Sequence, residues 1–136
     1  MTAQVLVITD SLEENSALFE AVRARAEQGP CVFRYVVTNP ARAEFHVVHA
    51  DRHDAVVRSQ PLVDQLVERL SLHAASPVTG EVSIRHDPFE AAEEEHLQRP
   101  VDEVIVAVRD HPIAHRLHHD LPQRLGHLGL AVTVSS

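Results

Sequence analysis

The sequence contains no lysine and no tryptophan: all 12 basic residues are arginine. Its single cysteine, Cys31, excludes an internal disulfide and a cysteine-based zinc cluster. Aromatic residues make up only 4%, so Val, Leu, Ala and Ile must fill the core. No apolar run approaches the ~18 residues that span a bilayer. No Arg run interrupts a formal net charge of -8, from 20 acidic and 12 basic residues. That excess repels phosphate backbones and argues against nucleic acid as a partner. Met1 to Gln4 leads straight into an apolar run without an export signal. The expectation is a cytoplasmic protein with neither a membrane nor a nucleic-acid partner.

What is present is the composition of an ordinary globular protein, 44% apolar and 24% charged over 136 residues. One domain over 1–136, without repeats, is expected. Val5-Leu6-Val7-Ile8 is a non-alternating β-branched run, the pattern of a strand buried on both faces, and Thr9-Asp10-Ser11 ends it. Leu18, Ala21 and Val22 recur at helical spacing before Gly29-Pro30, and a second strand runs from Val32 to Thr38. Residues 40–60 read as a long connection. Pro61 then opens a helix whose apolar face is Leu62, Val63, Leu66, Val67, Leu70 and Ala74. Gly80 separates this helix from a strand at Glu81 to Arg85. Asp87-Pro88-Phe89-Glu90 predicts a helix start, with a cap, a first-turn proline and an acid three residues on. That helix runs to about Gln98. Val104 to Val108 is a strand, a short helix begins at Asp120-Leu121-Pro122, and Leu130 to Val134 is the last strand. Alternation of this kind predicts a parallel sheet covered by helices on both faces.

The chain resembles the universal stress protein family over essentially its whole length. The resemblance is carried by Val5-Leu6-Val7-Ile8-Thr9-Asp10 with the Ser/Glu-rich stretch after it. It continues in Val78 to Glu95, with the turn at Asp87-Pro88 and an Ala/Glu-rich helix, and in Asp102 before Val104-Ile105-Val106. It implies an α/β fold: a three-layer α/β/α sandwich with a five-stranded parallel sheet, like the adenine nucleotide alpha hydrolases. It also implies a homodimer paired through Leu130 to Val134.

The loop after the fourth strand departs from the family's ATP-binding pattern. ATP-binding members carry glycines there, so that backbone N–H groups can approach the phosphates. This chain has Ala107 and Asp110 at the first two positions, and Asp120-Leu121 or His119-Asp120 at the third. Two like charges ~4 Å apart near a surface repel by roughly 4 kcal/mol, so ATP or AMP binding by that route is disfavoured, although Arg109 and Arg116 offset part of the charge. A crevice is still expected where the strand order reverses. Thr9, Asp10, Arg109, Asp110, His119 and Asp120 are the candidate residues for an unidentified small molecule.

Eleven histidines are an unusual share. His111, His115 and His119 follow helical spacing and form a candidate divalent-metal site, the alternative to a binding or regulatory module. His46, His49 and His53 with Asp51 and Asp54 form a second group. The opposing reading makes them solvated surface residues; Pro112 and the break at 120–122 weaken the helical premise. His86 and Asp87 could act as an acid/base pair, but Asp87 reads better as a cap. No Ser nucleophile of the G-x-S-x-G type occurs, and a non-enzymatic protein is expected, without a cofactor.

Overall fold

The computed structural model describes residues 2–10, 16–38, 51–74, 77–83, 87–107 and 123–134; side chains at 51–58 and at 73 fall outside this description. The elements run β1 (Ala3–Thr9), α1 (Ser16–Gln28), β2 (Cys31–Val37), α2 (Asp51–Ala74), β3 (Val78–Val82), α3 (Pro88–Gln98), β4 (Glu103–Ala107) and β5 (Ala131–Val134). The five strands form one sheet in the order β3-β2-β1-β4-β5. Every pairing is parallel, with Val7 opposite Tyr35 on one side and Ile105 on the other.

Alternation of side chains along β1 explains its unbroken apolar run. Val5 and Val7 join one core with Leu18, Phe19 and Val22 of α1 and Val63, Leu66 and Leu70 of α2. Leu6 and Ile8 point to the opposite core, built with Ala91 and Ala92 of α3, Val104 and Val106 of β4, and Leu125. Each β1 side chain from Val5 to Ile8 is fully buried. Leu125 lies in a helical turn at 123–126 that covers the β4 side of the second face.

Three local expectations need correction. Pro61 does not open its helix but lies inside α2, which begins ten residues earlier at Asp51. The missing N–H and ring clash of an internal proline cost about 3 kcal/mol, against which α2 buries Val63, Leu66, Leu70 and Ala74. Leu62, expected on that face, is 47% exposed. Gly80 does not precede β3 but sits within it. A Cβ there would run into Val67 Cγ2 and lie 3.0 Å from Val63 Cγ1, so glycine lets α2 pack close to β3.

The outer border of β3 has its own partner. In the parallel ladder, Pro77 O and Ser83 N bond back to β2, so the intervening Gly80 and Val82 direct their backbone groups outward. Gln60 of α2 meets both: its Nε2 donates to Gly80 O at 3.2 Å, and its Oε1 accepts from Val82 N at 3.3 Å.

Candidate functional site

The strand order reverses between β1 and β4, whose neighbours lead away in opposite directions. A parallel sheet opens a crevice at such a point, at the carboxyl ends of the two strands. Thr9 ends β1 with only 3% exposure, and its Oγ1 donates to Ala107 O at 2.8 Å. Thr9 O accepts from Thr38 N at 2.8 Å, which ties in the end of β2. Asp10 follows, half-buried at the rim. The structure therefore places Thr9 and Asp10 together at the switch point and seats Ala107 against the Thr9 hydroxyl. Arg109, Asp110, His119 and Asp120 lie outside the described residues, as do the candidate metal ligands His111, His115 and His119. His46, His49 and His86 also lie outside; His53 is in α2, but its side chain is not described. Among the described residues no group of three or more His, Cys, Asp or Glu could hold a metal ion.

Asp87 caps α3, accepting from Phe89 N at 3.2 Å, with Pro88 in the first turn. Asp102 sits at the opposite end of the sheet from the crevice. Its Oδ2 accepts from Gln4 N at 2.8 Å, and its own N–H donates to Gln4 O at 2.9 Å. Asp102 thus staples the start of β1 to the start of β4, and Arg25 beside it holds Glu103 through three bonds of 2.6 to 2.9 Å. Cys31 is free and buried in the core.

A second constellation escaped the sequence reading. Arg34, in the middle of β2, is 5% exposed on the α3 side of the sheet, and Glu95 of α3 is 7% exposed above it. Arg34 Nη1 donates to Glu95 Oε2 at 3.1 Å, and Nη2 donates to Arg99 O at 2.7 Å. Arg34 Nε is buried without a hydrogen-bond partner among the described residues. Burial pushes the Glu95 carboxyl up to about 7, helped by a hydrogen bond and charge from Glu81 and opposed by Arg34 and Arg99. Burial also lowers Arg34 from its usual value against the pull of Glu95. Both partners shift towards their neutral forms, so dehydration outweighs their attraction. A charged residue inside Val32-Phe33-Arg34-Tyr35-Val36 was the available signal, because a buried guanidinium requires a carboxylate partner.

No protein-family model matches the sequence, and no curated protein matches it. Solved structures do. The universal stress protein UspA from Lactobacillus plantarum aligns with a TM-score of 0.62 at 19% identity, over 98% of this chain and 97% of that one. The hypothetical protein PH0823 aligns with a TM-score of 0.61 at 13% identity, over 99% of this chain and 95% of that one. Five parallel strands in this order, helices on both faces and alignment from end to end agree: the chain has the fold of a universal stress protein.

Proposed function

We propose that the protein is a universal stress protein-like binding or regulatory module that takes a small molecule at the crevice between β1 and β4. The observation that carries this reading is the reversal of strand order at β1 and β4, with Thr9 and Asp10 at its lip. Arg109, Asp110, His119 and Asp120 complete the proposed lining from the segment after β4. The ligand is not ATP held by a glycine cradle. Ala107 and Asp110 stand where ATP-binding universal stress proteins have glycine, and a carboxylate beside a triphosphate is repulsive.

Binding to the folded state raises the melting temperature by mass action. The test is a thermal melt with ATP, AMP and cyclic AMP. The expected result is no rise with ATP; a clear, saturable rise would overturn the reading of the loop. In the proposed assembly two copies pair through β5, whose Ala131, Thr133 and Val134 are exposed in the single chain. An exposed strand border invites such pairing. Sedimentation should show a dimer that Val134→Asp weakens; a monomer in the parent chain would remove this part of the proposal.

A further inference from the structure

Gln60 meets β3 as a neighbouring strand would. In a parallel ladder, one residue of the adjoining strand donates its N–H to a carbonyl and accepts from the N–H two residues further on. The Gln60 carboxamide makes this pair of bonds with Gly80 O and Val82 N, at 3.2 and 3.3 Å. It stands where one residue of a sixth strand, opposite Glu81, would stand. Both distances lie at or beyond the long end of the usual range of about 2.7–3.2 Å. Gln60 Nε2 also donates to Asp64 Oδ1 at 2.9 Å, so an amide that swings off β3 keeps a partner. Val78 and Gly80 are half-buried rather than buried. Among the described residues, no other hydrogen bond meets the outward backbone groups of Val78, Gly80 and Val82.

The charge around this border is mainly negative. Asp64 and Glu68 follow Gln60 at steps of four on one side of α2, and both are exposed. Glu81 is exposed on β3 itself. Against these three carboxylates stands Arg99, which lines a cavity together with Glu81. The net charge of -8 adds a long-range field of the same sign.

We propose that the border of β3 is a guarded docking strip for a basic, extended peptide, which displaces the Gln60 carboxamide and adds as a sixth, parallel strand. One peptide residue takes over both bonds of Gln60 and sets an Arg or Lys side chain beside Glu81. Backbone bonds supply the affinity and the cross-strand charge pair selects the sequence. A second copy of β3 is a poorer occupant, because it brings Asp64, Glu68 and Glu81 against their own kind.

The probe is a fluorescein-labelled peptide of alternating arginine and valine, about six residues long, titrated with the full chain by fluorescence anisotropy. The expected dissociation constant is on the order of 0.1 mM. With arginine opposite Glu81, the arginine N–H groups face β3 and the valine N–H groups face away. Methylating the arginine amides should therefore weaken binding by about tenfold or more, and methylating the valine amides should change it little. A glutamate-for-arginine peptide should not saturate. Gln60→Ala removes the guard and should bind roughly fivefold more tightly. In the parent chain, amide shifts should centre on residues 78–82 and the Gln60 side chain, a readout independent of how well the variant folds. The proposal is overturned if the arginine peptide saturates neither protein, or if Gln60→Ala binds no more tightly than the parent. It is equally overturned if methylated arginine amides bind unchanged, or if the shifts centre on β5 or the crevice. Self-association of Gln60→Ala that excludes the peptide would assign the border to a second copy and overturn it too.

Discussion

A single arginine in the middle of β2 governs the chemistry of one face of the sheet. Arg34 is covered by α3, and its partner Glu95 titrates at about 7 rather than 4.5. The raised value means that the folded protein holds this proton more tightly than the unfolded chain does. The contribution of Glu95 to stability is thus fully present below about pH 4.5 and falls away as pH rises to about 7. The loss is on the order of 3 kcal/mol. Denaturant midpoints of the parent chain and Glu95→Gln, compared across this window, should diverge as pH rises, with the variant less affected. Parallel curves would show that Glu95 ionises at its ordinary value. The pair was invisible in the sequence because Arg34 and Glu95 lie 61 residues apart and only the crossing of α3 over β2 joins them. Asp87 was legible as a cap because its partner, Phe89 N, is two residues away.

Among the elements, strands and α3 were readable because burial on two faces leaves an unbroken apolar run and because caps act locally. The first half of α2 was not, since Asp51, Arg52, His53 and Asp54 and the internal Pro61 mask the helical period that Val63, Leu66 and Leu70 display. Gly80 was read as punctuation, whereas its role is set by α2 packing from 13 to 17 residues back in the chain. Gly80→Ala should cost about 1–3 kcal/mol by overpacking against Val67, and adding Val67→Ala should recover part of that loss. If Gly80→Ala melts with the parent chain, the close approach of α2 and β3 is wrong. Gln60→Ala strands two backbone groups at the border of β3 and should cost about 1–2 kcal/mol. Light scattering of that variant at high concentration should also rise, as an uncovered border becomes available.

For the whole molecule, the parallel sheet and its flanking helices were legible from alternation alone. The reversal of strand order between β1 and β4, where a crevice was expected, was legible because such folds share it. What such a crevice would hold was not, because the segment between β4 and the turn at 123–126 carries no periodic apolar pattern. The charge balance leads to a prediction at this scale. Eleven histidines and a net charge of -8 bring the molecule towards neutrality as pH falls through about 6. Turbidity and scattering should peak at about pH 5.5–6; flat scattering across that interval would contradict it. The two margins of the sheet are also unlike. Gln60 engages two backbone groups on the flank at β3, Gly80 O and Val82 N, and among the described residues β5 has no such cover. A chain with one receptive flank can join a twin across a two-fold axis and then has nothing left to offer a third. The helix that supplies one amide thereby leaves less of the β3 flank open to strand addition.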